Sequence, residues 1–289
     1  MSRKFFAGSY WFFEETEKLG EPSGHIWGLL PEKEIYSGKS AFQRIEIFQT
    51  QGYGRILALD DLIQLSTAHE RTYHEMLVHP PALCHGRPKN VLIIGGGDGG
   101  SLREIVKYPV QDILLIDIDR EVIEVSKKYL PSVSQGAFED PRVTVVNADA
   151  LEAIKRYRGA FDLIISDITD AYGPSTALWE ISFFTLVSDA LTEDGIASFQ
   201  AGYFKEKFGR KGRAAIRNVF PHVLLTRAYV GCFPFDECAF VAASHGVDFD
   251  AVSYEEIARR FNDLNLQTAY YSPEIHFAST VIPKCCRED

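Results

Sequence analysis

Apolar and polar residues alternate along residues 42–48 and again along 55–59, with Gly52-Tyr53-Gly54 between them. A period of two with a glycine-bounded break predicts a small antiparallel β module. From residue 69 to 83 the apolar positions recur at helical spacing, and Pro80-Pro81 followed by Gly86-Arg87-Pro88 is expected to close that helix. The chain is expected to divide into a β-rich N-terminal module, residues 1–68, and a larger domain, residues 69–289. Beyond Lys89 the two periods take turns. Strands are expected at 91–95, 112–117, 142–147 and 161–167, separated by helices near 101–107, 120–129 and 150–157. After a loop come a helix at 180–192, a strand at 196–200, a helix at 205–218 and strands near 223–230 and 238–244. Alternation of this kind predicts an α/β fold with a doubly wound sheet, whose ligand crevice opens at the carboxyl ends of the strands.

Composition narrows the chemistry. The 289 residues are 46% hydrophobic, enough for a sizeable core, and 40 acidic against 30 basic residues leave a formal charge of -10. That balance disfavours nucleic acid and suits cationic small molecules. Five cysteines show neither zinc-type spacing nor a disulfide framework, which fits a reducing compartment. No apolar run is long enough to span a bilayer, so a soluble cytoplasmic protein is expected, with no membrane or nucleic-acid partner.

The first strand of the large domain runs into Gly95-Gly96-Gly97-Asp98-Gly99-Gly100. Glycine turns before a helix commonly hold a pyrophosphate on bare amides, but an aspartate in the turn repels an anion. This turn looks built for a cation. The following strands also end in acids: Asp117 and Asp119, then Asp149, then Asp167 with Asp170 three residues on. An acid after the second strand suits ribose hydroxyls, which makes Asp117 the candidate, while Asp119 is expected to cap the next helix. Asp149 can accept from an exocyclic amine such as that of adenine, cap the helix behind it, or do both. Asp167 and Asp170, in a loop shaped by Gly173-Pro174, form a carboxylate pair able to accept a proton and hold an ammonium group.

Together these motifs, with Tyr73-His74-Glu75-Met76, Leu102-Arg103-Glu104 and Asp167-Ile168-Thr169-Asp170, resemble the signature set of the polyamine aminopropyltransferases, the spermidine synthase family. The resemblance spans about residues 37 to 244. It implies a Rossmann-like, class I methyltransferase-like domain that moves a 3-aminopropyl group from decarboxylated S-adenosylmethionine, as co-substrate, to putrescine or a related amine. It further implies that Gln43, Asp117, Asp149, Ala150 and Pro174 hold the nucleoside and that His74 and Tyr73 stand between donor and acceptor. By the same likeness Asp98 holds the donor ammonium, Asp167 is the catalytic base, and Asp170 grips the acceptor. A homodimer or homotetramer is implied as well, and no metal is expected. The alternatives are an S-adenosylmethionine-dependent amine N-methyltransferase on the same scaffold and a non-catalytic polyamine or nucleoside binder.

Several stretches depart from the family pattern. Thr67-Ala68-His69-Glu70 replaces a more acidic run, so His69 removes an acid from a segment expected to cover the pocket, and Ala171 replaces a proline. In Gly231-Cys232-Phe233-Pro234-Phe235-Asp236-Glu237, Phe233 lacks a hydroxyl that would help place the acceptor. Asp236 and Glu237 add charge where a longer amine would end, unless they form a solvated turn. His69, His79 and His85 read as surface or packing residues, and Phe183-Phe184 as core.

Overall fold

A computed structural model describes residues 3–14, 27–233 and 236–287, apart from the Cys285 side chain. Strands β1 (Arg3–Phe6), β2 (Ser9–Phe13) and β3 (Gly28–Leu29) form one antiparallel sheet, and β4 (Lys33–Lys39), β5 (Arg44–Thr50), β6 (Gly54–Leu59) and β7 (Leu62–Ser66) form a second. The alternation seen in residues 42–48 does not separate core from solvent, because β5 is buried on both faces. Ile45 and Ile47 pack with Val122, Val125, Leu130 and Val133, whereas Phe48 packs with Phe12, Ile56, Met76 and Leu77. Glu46, the buried acid between them, pairs with Arg44 at 2.9 Å.

Helix α1 (Glu70–His85) runs through Pro80 and Pro81 instead of closing at them, which corrects the expected end. A proline inside a helix leaves the carbonyl four residues earlier without a donor. For Pro81 that carbonyl is Leu77 O, and Ser198 Oγ donates to it at 2.6 Å. A buried hydroxyl from another element therefore satisfies what the proline strands. Gly86 ends the helix in the left-handed region at φ 88°, its N–H returning to Ala82 O at 3.0 Å.

The large sheet comprises β8 (Asn90–Gly95), β9 (Asp112–Asp117), β10 (Val143–Asn147), β11 (Phe161–Asp167), β12 (Leu191–Tyr203), β13 (His222–Ala228) and β14 (Cys238–Ser244). Its order is β10-β9-β8-β11-β12-β14-β13, parallel from β10 to β12, with β14 antiparallel to both β12 and β13. Between the strands lie α2 (Gly100–Ile105), α3 (Arg120–Tyr129), α4 (Pro131–Ser134), α5 (Ala150–Ile154), α6 (Ile181–Ala190) and α7 (Lys207–Val219). Both faces are covered, so a strand such as β8 is apolar at successive positions. Val91 and Ile93 belong to the core on the α1 side, and Leu92 and Ile94 to the core containing Phe183 and Phe184. Strand β12 begins earlier than expected, at Leu191 directly after α6, and α5 ends earlier, at Ile154.

Two helices follow beyond the reach of the sequence reading, α8 (Tyr254–Asp263) and α9 (Pro273–Ser279). The segment between them is tied to α1 by Glu75, a fully buried carboxylate that accepts the N–H groups of Ala269, Tyr270 and Tyr271, each at 2.8 Å. His79 is buried, its ring nitrogens 2.8 Å from the Tyr108 hydroxyl and 2.9 Å from Glu104 Oε2. Cys84, Cys232 and Cys238 are buried free thiols, and Cys286 is buried as well. Among the described residues, no helix is long and apolar enough to cross a membrane.

Candidate active site

The strand order reverses between β8 and β11, and a ligand crevice is expected outside their carboxyl ends. There the two strand ends nearly touch. Gly95 has φ 74°, a side chain on it would overlap the Asp167 carbonyl, and Gly96 N–H donates to that carbonyl at 2.9 Å. This close approach brings Asp98 and Asp167 into one cavity of about 390 Å³. Leu57, Leu59, Ile63 and Gln64 of the N-terminal module line its other side. The cavity collects Gln43, Tyr73, His74, Asp98, Asp117, Asp149, Ala150, Asp167, Asp170, Pro174 and Phe233. In the sequence these lie scattered between positions 43 and 233.

His74 is buried with both ring nitrogens facing carboxylates, Nδ1 at 2.6 Å from Glu70 Oε2 and Nε2 at 3.4 Å from Asp98 Oδ1. An ionised carboxylate only accepts, so both nitrogens donate and the ring is an imidazolium. Burial works against that charge, but Asp98 and Glu70 outweigh it and hold the His74 pKa well above the ordinary value. Glu70 is itself held by the buried Arg103, at 2.8 and 3.0 Å. Burial likewise pushes the Asp98 pKa up, yet the charge and hydrogen bond of His74, with the Gly100 N–H at 2.6 Å, bring it below the usual range.

Asp167 goes the other way. Burial, then the charge of Asp98, raises its pKa against the opposing effects of His74 and two hydroxyls. Those hydroxyls are Tyr73 OH, donating to Oδ1 at 3.0 Å, and Ser101 Oγ, donating to Oδ2 at 2.6 Å. Burial lifts Asp170 to about 6, slightly opposed by Gln200. Asp117 is also lifted to about 6, first by burial, and accepts the Asp119 N–H at 2.8 Å. Asp149 lines the cavity and also caps α5 by accepting the Leu151 N–H at 2.9 Å. Asp119 caps α3 as expected, taking the Glu121 N–H at 3.1 Å, and holds Gln43 Nε2 at 2.9 Å.

One side-chain atom from each of His74, Asp98 and Asp167 lies within 4.8 Å of the others, so a single compact cation can reach both carboxylates at once. The imidazolium nitrogens are already committed to Glu70 and Asp98, which leaves carboxylate oxygens facing the space. Those are the acceptors an alkylammonium needs.

Two expected substrate residues lie elsewhere. Asp236 accepts the N–H groups of Lys205 and Glu237, at 3.1 and 2.9 Å, and Glu237 pairs with Arg227. Neither lines the cavity, because Arg227 on β13 and the backbone at Lys205 neutralise them behind its wall. His69 is also absent from the lining; its Nδ1 lies 3.1 Å from Ser66 Oγ and its ring meets Tyr53 edge-on. Phe233 does line the cavity, edge-on to Tyr73 and Tyr203 at 6.3 and 6.4 Å between ring centroids.

Sequence reasoning missed Ser101, Gln200, Tyr203 and Glu14. Gln200 spans the Ile168 carbonyl at 3.0 Å and Asp170 at 3.5 Å. Glu14 follows β2, accepts the Ile63 N–H at 2.8 Å, and is pushed up to about 8 by burial, with the Asp170 charge adding to the rise. Only Ser101, directly after the glycine turn, carries a local signal; the others are delivered by strand pairing.

Residues 70–251 match the family described as the spermine/spermidine synthase domain, and residues 10–67 the spermidine synthase tetramerisation domain. Polyamine aminopropyltransferase 1 of Hyperthermus butylicus is 40% identical over 267 residues, covering 89% of this chain and 91% of the relative. Spermidine synthase of Schizosaccharomyces pombe is 38% identical over 270 residues, covering 92% and 89%. A crystal structure of spermidine synthase from Thermotoga maritima superposes with a TM-score of 0.87 at 32% identity, covering 99% of this chain and 94% of that one. A spermidine synthase in complex with the transition state analogue AdoDATO superposes with a TM-score of 0.88 at 34% identity, covering 95% and 92%.

Proposed function

This chain belongs to the spermine/spermidine synthase family, and from that premise we propose how its cavity transfers a 3-aminopropyl group from decarboxylated S-adenosylmethionine to an amine. One observation carries the reading: five aspartates and no lysine or arginine line the cavity among the described residues. Such a lining repels phosphates and carboxylates and attracts ammonium and sulfonium groups. The comparisons favour aminopropyl transfer over transfer of a methyl group.

In this reading Asp117 accepts from the ribose hydroxyls and Asp149 from the adenine amine, with Gln43, Ala150 and Pro174 shaping the nucleoside pocket. Asp98, kept ionised by the imidazolium of His74, holds the ammonium of the aminopropyl arm. Tyr73, Phe233 and Asp170 receive the acceptor amine. An alkyl amine has a pKa near that of lysine, about 10, and must lose a proton before it can attack. Asp167 takes that proton, and its raised pKa narrows the mismatch with the amine. The nitrogen lone pair then forms the new C–N bond as the C–S bond breaks, and sulfur leaves as the neutral thioether 5'-methylthioadenosine. The protein's main task is alignment, which supplies several kcal/mol when the reacting atoms are held in line, of about 7 or more attainable.

The N-terminal module, residues 1–68, is assigned a role in self-association as a homodimer or homotetramer. The match to a tetramerisation domain and the exposed Phe5, Phe6 and Tyr10 support this. A cytoplasmic location, small amines as the only partners, and catalysis without a metal complete the proposal. The test is to incubate the protein with decarboxylated or intact S-adenosylmethionine and a panel of putrescine, cadaverine, agmatine and spermidine, then weigh the products. An aminopropyl gain from the decarboxylated donor is expected. A methyl gain from the intact donor, with no aminopropyl product, overturns the reading.

A further inference from the structure

Asp167 is gripped on both oxygens, by Tyr73 on Oδ1 and by Ser101 on Oδ2. Those two hydroxyls differ in where they stand. Tyr73 lines the cavity and can exchange its contact for a substrate. Ser101 is fully buried in the first turn of α2 and outside the lining, so its hydroxyl reaches the cavity only through Asp167. A carboxylate turns easily about its last torsion, which is broad and nearly two-fold, so its plane must be set by neighbours. The charged and titratable groups facing Asp167 are Asp98, His74 and Tyr73. Of these, Asp98 and His74 act through their field and leave the plane unset, and Tyr73 must share Oδ1 with the incoming amine. The shortest contact, at 2.6 Å, comes from the one hydroxyl a substrate cannot displace.

We propose that Ser101 is a positioning residue for aminopropyl transfer, its hydroxyl locking the carboxylate of Asp167 so that the Oδ1 edge stays turned toward the acceptor nitrogen. The same short segment then sets both acids, because the Gly100 N–H fixes Asp98 and the next residue's hydroxyl fixes Asp167. The inference rests on the reading of Asp167 as the base.

The test compares Ser101→Thr with Ser101→Val, which add nearly the same bulk and differ in the hydroxyl, alongside Ser101→Ala. Steady-state kinetics with decarboxylated S-adenosylmethionine and putrescine should give kcat values about 10- to 100-fold below native for Val and Ala. The Thr variant should recover most of that loss, and the donor KM should hold within about twofold across the series, since Ser101 contributes nothing to uniform binding. Any strain from the added methyl group is common to Thr and Val, so equal kcat values for those two, fast or slow, overturn the proposal. So does a native kcat for Ala. Ser101→Ala placed on Asp167→Asn should add no further loss. A native rate in Asp167→Asn alone would instead sink the base assignment, a failure distinct from equal Thr and Val rates.

Discussion

Replacing Asp170 by asparagine should stabilise the protein while impairing it. Asp170 is a half-buried carboxyl whose pKa is lifted from 3.8 to about 6, first by burial. A carboxyl that binds its proton more tightly when folded opposes folding once it ionises, so the native chain carries a penalty at neutral pH. A rise of about two pKa units corresponds to roughly 3 kcal/mol. Asparagine keeps the shape, retains an oxygen for the weak 3.5 Å contact from Gln200, and never ionises. At pH 7.5 the variant should therefore melt higher than the native protein, by roughly 5–10 °C for a chain of this size. The penalty is absent below the unfolded value near 3.8 and develops as pH rises through about 6. The margin between the two proteins should accordingly shrink as pH falls from 7.5 to 4.5. Differential scanning calorimetry of both proteins across that range reads it, with Glu14, whose rise the Asp170 charge adds to, shifting the margin in the same direction. Kinetics at pH 7.5 should meanwhile show the KM for putrescine raised about 10- to 100-fold, the worth of a hydrogen bond to a charged group. A variant that melts lower at pH 7.5, or a margin indifferent to pH, would refute the claim that burial holds this carboxyl up.

Asp167→Asn should lower kcat by about two orders of magnitude or more while leaving donor affinity by calorimetry within a few-fold of native. Asp98→Asn should do the reverse, weakening donor binding about 10- to 100-fold through loss of a charged hydrogen-bond acceptor. For the native enzyme, the KM for putrescine should climb as pH falls through about 6, where Asp170 gains a proton; a flat KM in Asp170→Asn is the control. Ser198→Ala strands the Leu77 carbonyl opposite Pro81 and should cost about 1–3 kcal/mol by chemical denaturation.

What was legible in the chain was local or topological. The glycine turn with Asp98, and the acids at the ends of β9, β10 and β11, could be read because strand ends of a doubly wound sheet share one edge. Proline, by contrast, is a breaker only when the carbonyl it strands stays unsatisfied, and the hydroxyl that rescues Leu77 lies 121 residues away at Ser198. From their place beside Phe233, Asp236 and Glu237 suit either the end of a longer amine or a solvated turn, and the local sequence does not choose between them. Antiparallel pairing of β13 with β14 sets Arg227 against Glu237, and the charge is neutralised outside the cavity. Glu14 shows the same limit from the other side. Its approach to Asp170 depends on how β2 lies against β7, which no run of residues around position 14 encodes.

Glu75 gives the region after residue 265 a stake in the chemistry. Its carboxylate sits one residue beyond His74 and two beyond Tyr73, and its only described backbone donors come from Ala269, Tyr270 and Tyr271. Shearing away that distant stretch would leave this buried carboxylate with only Arg71, 4.0 Å away, in place of its three backbone donors, beside two residues that line the cavity. Damage far along the chain would then reach the cavity wall, although no described residue beyond 265 lines the cavity.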